Sequence, residues 1–170
     1  MSGLSHHNPV IIIFGVSGSG KSTIAKLLSG KLSLPCYDAD DFHPEANVDK
    51  MSRGIALNDA DRMPWLRTLA QQIGEWENKK GAVLACSALK ESYREILASQ
   101  ARRIYWILLS GSFELIKSRM EARKGHFMSI SLLRSQYQTL EVPDYGLHIP
   151  VDGSPEHIVN TIITKLNGYE

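Results

Sequence analysis

The segment GVSGSGKS, residues 15–22, holds the residues whose types and spacing are best suited to chemistry. It fits the pattern G-x-x-x-x-G-K-[ST], in which glycines let the backbone turn several N–H groups towards an anion. The lysine of this pattern reaches the outer phosphates of a nucleotide, and the final hydroxyl ligates Mg²⁺. We therefore predict a nucleoside triphosphate site formed by this loop and the start of the helix after it: Gly15, Ser17, Gly18, Ser19, Gly20, Lys21, Ser22 and Thr23.

Two of these residues are predicted to do more than hold phosphates. Because phosphoryl transfer depends mostly on positioning and electrostatics, the charge of Lys21 is predicted to serve the transition state. Ser22 is predicted to be a metal ligand. The alternative is a glycine-rich turn that binds nothing, and the apolar strand before the loop and the helix after it argue against that.

A cluster of carboxylates follows the next apolar run, in the segment DADDFHPEAN, residues 38–47. Carboxylates this close repel one another, so folding alone gives little reason to collect them. Parallel strands deliver their carboxyl ends to one edge of a sheet, which places these acids near the phosphate loop. One acid could hold the waters of a metal, and another could accept a proton from an attacking hydroxyl. We assign both the base and the metal role to Asp40, with Asp38 as the alternative; a solvated acidic loop is the plainer explanation.

Two pairs of basic residues have helical spacing. In CSALKESYR, a helix opened by Ser87 or Ala88 would place Lys90 in its first turn, where a cation opposes the helix dipole. An anion such as the carboxylate of a sugar acid would relieve that conflict, and Arg94 would lie on the same face. Surface basic residues on a solvated helix are the alternative.

The second basic pair is Arg119 and Arg123, on a helix that Gly125 could end. Such a helix end is predicted to belong to a lid over about residues 119–130, whose arginines close over the phosphates, with Arg123 stabilising the transferring charge. Ordinary surface arginines are the alternative. His126, just beyond, could touch substrate or cap the helix, and the sequence does not choose between these roles.

The elements that must position these residues alternate in type. Apolar runs that predict strands occupy 9–15, 34–38, 82–86, 103–109 and, as a weak edge strand, 147–151. Amphipathic stretches predict helices over 21–32, 45–51, 64–80, 89–99, 112–124, 131–141 and 155–166. The alternation predicts an α/β fold with a central parallel sheet of about five strands wrapped on both faces. We expect one domain over residues 1–170, with residues 1–8 as a flexible tail.

Composition limits the classes of function. The formal net charge is +1, from 19 basic and 18 acidic residues, which argues against binding nucleic acid through bulk charge. No apolar run approaches the roughly 20 residues of a membrane span, and the first residues do not resemble a secretory signal. The two cysteines, Cys36 and Cys86, lie beside apolar runs, which is typical of reduced thiols. We expect a cytoplasmic protein with no membrane or nucleic-acid partner.

Several stretches together resemble one family. The segments GVSGSGKS, DADDFHPEANVDKM, LNDADRMPWL, CSALKESYR, RKGHF and LLRSQYQTLE occur in this order and closely resemble the gluconate kinases, over about residues 9 to 143. The resemblance implies a three-layer fold like that of nucleoside monophosphate kinases, with a small lid. It implies transfer of the γ-phosphoryl group of ATP to the 6-hydroxyl of D-gluconate with Mg²⁺, and a homodimer. The predicted substrate contacts are Asp40, His43, Arg53, Lys90, Arg94 and His126.

Two other functions stay open at this point. A small kinase for another acceptor, such as shikimate or adenylylsulfate, would share the phosphate loop, although HPEAN and CSALK argue against it. A nucleotide sensor without turnover would also share the loop, although the acids and arginines argue against it. A molecular switch or motor is disfavoured because the run AVLAC ends in Cys86 and Ser87 instead of an aspartate, and no N-K-x-D guanine motif occurs.

Overall fold

The structure of the chain is a computed structural model that describes residues 8–123 and 129–168. Gly125 and His126 lie outside the described residues, as do most of the predicted tail and the middle of the predicted lid. The predictions that concern them therefore stay predictions.

A five-stranded sheet forms the centre of the fold, and every pairing between its strands is parallel. The strand order is β2-β3-β1-β4-β5, which confirms the predicted α/β architecture. β1 lies in the middle because all of its residues are apolar and none is exposed. The strands are β1 Val10–Phe14, β2 Cys36–Asp38, β3 Ala82–Ala85, β4 Ile104–Ser110 and β5 Leu147–Pro150.

Helices cover both faces of this sheet, and alternate residues of β1 separate two cores. Ile11 and Ile13 point into a core shared with α1, α5, α6 and α7, whereas Ile12 and Phe14 point into a core shared with α3 and α4. This gives the predicted three layers. The helices in the described residues are α1 Lys21–Leu32, α2 Glu45–Ser52, α3 Asp59–Asn78, α4 Glu91–Ala98, α5 Phe113–Ala122, α6 Ile130–Thr139 and α7 Pro155–Asn167. None of them is long and apolar enough to cross a membrane.

Two helices begin elsewhere than predicted. α3 starts at Asp59 rather than Pro64, because the Asn58 side chain accepts from the Asp61 backbone N–H while the Asp61 carboxylate accepts from the Asn58 N–H. This capping box satisfies two of the free donors of a helix start, and Pro64 lies inside the helix. α4 starts at Glu91, so Lys90 is the extended residue before the helix and the prediction that it lies in the first turn is wrong.

The carboxyl ends of three neighbouring strands bring the predicted site residues together. Asp38 at the end of β2 lies opposite Ala85 of β3, and Ala85 lies opposite Ile13 of β1. The chain leaves β2 through a short 3₁₀ turn, Ala39–Phe42, and leaves β1 through the glycine-rich loop. The acidic turn and the loop therefore open at the same edge of the sheet, as the sequence predicts.

Candidate active site

The loop of residues 15–20 is fixed by contacts on both of its sides. Ser19 is buried, and its hydroxyl donates to the carbonyl oxygen of Val16 at 2.7 Å. Gly18 has a φ of 79°, and a Cβ built there would lie 2.8 Å from the Cγ of Met120 on α5. A side chain at this position would strain the backbone and displace the side chain of Met120, so the loop packs closely against α5.

Lys21 turns back over the loop that precedes it. Its Nζ donates to the carbonyl oxygens of Gly15 at 3.1 Å and Val16 at 2.9 Å. Burial lowers the pKa of Lys21, while the carboxylates of Asp38 and Asp40 act in the opposite direction. A cation with only two carbonyl partners and two nearby acids is suited to the terminal phosphates of a nucleotide.

The hydroxyl of Ser22 meets Asp38, not Asp40. Ser22 Oγ donates to Asp38 Oδ2 at 3.0 Å, and Asp38 Oδ1 accepts from the backbone N–H of Asp40 at 3.0 Å. The sequence analysis favoured Asp40 over Asp38 as the acid that joins Ser22 at the metal; in the structure the side chain of Asp38 caps the 3₁₀ turn and faces the loop, which favours the alternative.

Ser22 and Asp38 have the chemistry of a magnesium site. A hydroxyl and a carboxylate are hard oxygen donors, and Mg²⁺ usually takes one or two protein ligands, with phosphate oxygens and water completing an octahedron. Within residues 8–123 and 129–168 no group of three or more His, Cys, Asp or Glu side chains could hold a metal ion. An ion at Ser22 and Asp38 would therefore rely on the nucleotide for most of its ligands.

Asp40 stands apart from this pair and faces solvent. Its side chain is 85% exposed, and its Oδ1 lies 3.9 Å from the Nε2 of His43, which is too long for a hydrogen bond. Desolvation in the cleft raises the pKa of Asp40, and the neighbouring charge of Asp38 raises it further. A carboxylate with a raised pKa and open lone pairs is suited to accept a proton from an alcohol.

His43 is held rigidly with one nitrogen towards Asp40. Its ring stacks on Trp65 with centroids 4.3 Å apart. Asn47 Nδ2 donates to the backbone oxygen of Asp61 at 2.9 Å, and this fixes the amide so that Nδ2 also faces His43 Nδ1, at 3.2 Å. Nδ1 must then accept, so the proton of the neutral ring is on Nε2. Burial lowers the pKa of His43, which favours this neutral form.

Trp65 also fixes the acidic turn. Its Nε1 donates to the backbone oxygen of Ala39 at 2.7 Å. The same indole thus supports both the imidazole and the turn that carries the two acids. No site role was predicted for Trp65, although its place in the DRMPWL segment near the start of a helix was a usable signal.

Lys90 already has an anionic partner within the chain. Its Nζ lies 3.3 Å from both carboxylate oxygens of Asp59, and Tyr93 donates its hydroxyl to Asp59 at 2.5 Å. Arg62 donates to the Tyr93 hydroxyl at 3.3 Å. The hydrogen bonds to Asp59 raise the pKa of Lys90. Lys90, Arg62 and Tyr93 thus place two cations and a phenol beside the cleft. Because Lys90 precedes α4, its charge does not oppose the dipole of that helix from within the first turn, as the sequence suggested.

Arg94 is buried and its guanidinium is used within the chain, which argues against its prediction as a substrate contact. Its side chain is 1% exposed, and its guanidinium donates to Glu91, to the Tyr145 hydroxyl and to the backbone oxygens of Ala88 and Glu141 at 2.6–3.1 Å. A guanidinium with these partners has little left for a ligand. Arg94 therefore stabilises the turn before α4 by its hydrogen bond to the Ala88 oxygen.

Arg53, another predicted substrate contact, has its partner on the neighbouring helix α2. Arg53 follows α2, where its 64%-exposed side chain pairs with Asp49 at 3.2 Å. This is an ordinary ion pair four residues apart at the end of a helix. His126 lies outside the described residues.

Arg119 and Arg123 extend from the helix that packs on the loop. Met120, between them, is the residue that a side chain at Gly18 would strike. Arg119 lies in the last turn of α5 and is half-buried, and Arg123 follows the helix and is exposed. Neither side chain makes a hydrogen bond or ion pair with another residue in the described part of the chain. Their position beside the loop therefore leaves both cations available to a phosphate.

Comparison with known proteins assigns this arrangement to a family. The family model described as "Shikimate kinase" matches residues 17–142. A protein named "Gluconokinase" from Arabidopsis thaliana is 43% identical over 170 residues, which cover 91% of this chain and 90% of that protein. The chain belongs to the gluconokinase family.

Further relatives of this gluconokinase-family chain agree with that assignment. A "Probable gluconokinase" from Rattus norvegicus is 43% identical over 170 residues, covering 86% of this chain and 92% of the relative. The crystal structure of a gluconokinase from Sinorhizobium meliloti superposes with a TM-score of 0.87 at 35% identity, covering 96% of this chain and 94% of the other. The fold of the family chain and its sequence therefore point to the same group of kinases.

Proposed function

We propose that this chain transfers the γ-phosphoryl group of ATP to the 6-hydroxyl of D-gluconate, giving 6-phospho-D-gluconate and ADP. The observation that carries the proposal is the meeting of the phosphate loop with the acidic turn, where Ser22 contacts Asp38 and Asp40 faces the same cleft. The choice of gluconate as the acceptor rests on the relatives named as gluconokinases, which are 43% identical across most of the chain.

The nucleotide side of the reaction rests on the loop and the start of α1. The backbone N–H groups of Gly18 and Gly20, which have no hydrogen-bond partner within the described residues, and the positive end of the α1 dipole hold the phosphates of ATP. Lys21 leaves its two carbonyl partners and pairs with the terminal phosphates. Ser22 and Asp38 would hold Mg²⁺, directly or through water, and the ion supplies positive charge to the phosphates.

The chemical step requires one proton acceptor. The oxygen of the 6-hydroxyl forms a bond to the γ-phosphorus while the bond to the β-phosphate oxygen breaks and ADP leaves. Asp40 takes the proton of the hydroxyl, for which its exposed carboxylate and raised pKa are suited. Arg119 and Arg123, beside the loop, stabilise the charge on the transferring group.

The acceptor side of the cleft is lined by rigid donors. His43 presents its Nε2–H beside Asp40 and is suited to orient a hydroxyl of the acceptor. Lys90 and Arg62, which meet at Tyr93, supply positive charge for the carboxylate of a sugar acid. Such a carboxylate would share Lys90 with Asp59 rather than find a free ammonium. Arg94 acts only indirectly, by holding the Ala88 oxygen and with it the turn before Lys90.

The direct experiment is ATP turnover with and without D-gluconate. Purified protein with ATP and Mg²⁺ is expected to form ADP only when gluconate is present, and chelation of the metal is expected to stop it. Shikimate and adenylylsulfate in the same assay test the other kinase acceptors. Turnover with either of these and not with gluconate, or no turnover with any acceptor, would sink the proposal.

The proposal includes a homodimer in the cytoplasm. The homodimer is what the resemblance to the gluconate kinases implies, and the cytoplasmic location is supported by two cysteines beside apolar runs, as is typical of reduced thiols. Sedimentation at micromolar concentration tests the first, with a monomer as the refuting result. Fractionation of cells that contain the protein tests the second.

A further inference from the structure

A single side chain far along the sequence binds the phosphate loop at two points. Gln136 Oε1 accepts from the backbone N–H of Ser17 at 2.7 Å, and Gln136 Nε2 donates to the Ser17 hydroxyl at 3.1 Å. The two residues are 119 positions apart in sequence. None of the roles assigned above uses Gln136.

The geometry of this contact leaves no freedom in the amide. The backbone N–H of Ser17 can only donate, so the atom that faces it must be the amide oxygen, and the amide nitrogen then faces the Ser17 hydroxyl. Both polar ends of Gln136 are thus satisfied by one residue of the loop. Pairing of this kind requires a side chain that both accepts and donates, which excludes apolar residues, lysine and arginine.

The helix that carries Gln136 is itself anchored to the sheet. Leu133 of α6 is fully buried in the core that contains Ile11 and Ile13. The Tyr137 hydroxyl donates to the backbone oxygen of Gly111, at the end of β4, at 2.8 Å. Gln136 therefore reaches Ser17 from a well-anchored helix. Tyr137, the next residue, and Leu133, three residues earlier, both fix that helix to the sheet.

We propose that Gln136 is a positioning residue for phosphoryl transfer, which holds Ser17 so that the loop is shaped for ATP before ATP arrives. The inference rests on the proposed function, because it concerns the same loop and the same reaction. A preorganised loop loses less conformational freedom on binding, and its N–H groups need no rearrangement in the transition state. In the described residues, the side-chain hydrogen bonds that join Ser17 to α6 are the two made by Gln136.

The variant Gln136→Met removes both hydrogen bonds and keeps the length of the side chain. Gln138→Met is the matched control, because Gln138 lies on the same helix and is exposed. Two neutral hydrogen bonds correspond to a loss of roughly 10- to 100-fold. We expect Gln136→Met to lower kcat/KM for ATP by that factor and to leave KM for gluconate nearly unchanged, while the control matches the wild type.

A binding measurement separates this role from a purely structural one. Calorimetric affinity for ATP without acceptor, and the increase in Tm that ATP produces, should both fall in Gln136→Met, whereas Tm without ATP should stay close to that of the control. Ser17→Ala removes only the hydrogen bond from Gln136 Nε2 and leaves α6 intact. It is the alternative test if Gln136→Met fails to fold. The loss in the double variant should be smaller than the sum of the two single losses, because the residues are in contact.

Two results would overturn the inference. One is ATP affinity in Gln136→Met equal to that of Gln138→Met. The other is tighter ATP binding in Gln136→Met, which would mean that the amide competes with phosphate for Ser17. Failure of the proposed function is a separate outcome: if the wild type does not turn over gluconate but Gln136→Met still binds ATP more weakly, the positioning role stands and the acceptor is wrong.

Discussion

Replacing Arg94 by methionine should destabilise the fold and leave the preference for gluconate in place. The guanidinium is 1% exposed and makes five hydrogen bonds to four residues, so its removal leaves the backbone oxygens of Ala88 and Glu141 without this donor. Breaking a buried ion pair costs roughly 3–5 kcal/mol. Because the partner Glu91 is 42% exposed and can be rehydrated, we expect the lower end, about 3 kcal/mol.

The assay is thermal and urea unfolding of Arg94→Met beside Arg67→Met, a control at an exposed position of α3. For a chain of this size, a loss of about 3 kcal/mol corresponds to a fall in Tm of roughly 6–12 °C. The control should stay within about 0.5 kcal/mol of the wild type. If Arg94→Met unfolds like the control but raises KM for gluconate tenfold or more, then Arg94 reads the substrate and its assignment as a supporting residue is wrong.

Four further substitutions test the roles of individual residues. Lys21→Met should lower kcat by at least roughly 10²-fold, since it removes a preorganised charge from the transition state, and a near-normal kcat in steady-state kinetics would remove the loop lysine from the mechanism. Asp40→Asn should lower kcat roughly 10²- to 10⁴-fold. Because the pKa of Asp40 is raised, the acidic limb of the wild-type pH–rate profile should lie above pH 3.8, and Asp38→Asn, which removes the neighbouring negative charge, should move that limb to lower pH. If Asp40→Asn keeps full activity and Asp38→Asn has none, the assignment of the base to Asp40 is wrong and Asp38 takes that role. Lys90→Met should raise KM for gluconate and reduce its advantage over sorbitol without changing KM for ATP, and an unchanged preference would place the carboxylate elsewhere.

The order of elements could be predicted because each strand is a continuous apolar run and each helix has an apolar stripe. It could also be predicted that the phosphate loop and the acidic turn lie at one edge of the sheet, because the carboxyl ends of parallel strands meet there. Which acid meets Ser22 could not be predicted, since that depends on the 3₁₀ turn, which directs Asp38 towards the loop and leaves Asp40 facing solvent.

The segment before α4 shows why part of the site could not be predicted. Ala88 has a φ of 41°, which a residue with a side chain rarely adopts and which the sequence CSALK does not suggest. That conformation delays the helix to Glu91, so the spacing of Lys90 and Arg94 no longer places them on one face. Tyr145, a partner of Arg94, is 51 positions away, and no local pattern reveals such a contact.

The start of α3, in contrast, could have been predicted better. Asn58 and Asp61 have the spacing of a capping box. The preference of proline for the first turn of a helix drew the predicted start to Pro64, where the structure has a proline in the helix interior. Two complementary hydrogen bonds at Asn58 outweighed that preference.

The contacts of Trp65 give the protein an optical reporter of its own. Indole emission responds to the polarity and charge around the ring, and this ring touches the imidazole of His43 on its face and the Ala39 carbonyl at its nitrogen. Trp76 stacks on Tyr37, and Trp106 packs edge-on against Phe14. A change in tryptophan fluorescence on addition of an acceptor would therefore arise mainly from Trp65, and it would follow events beside Asp40 in real time without any label.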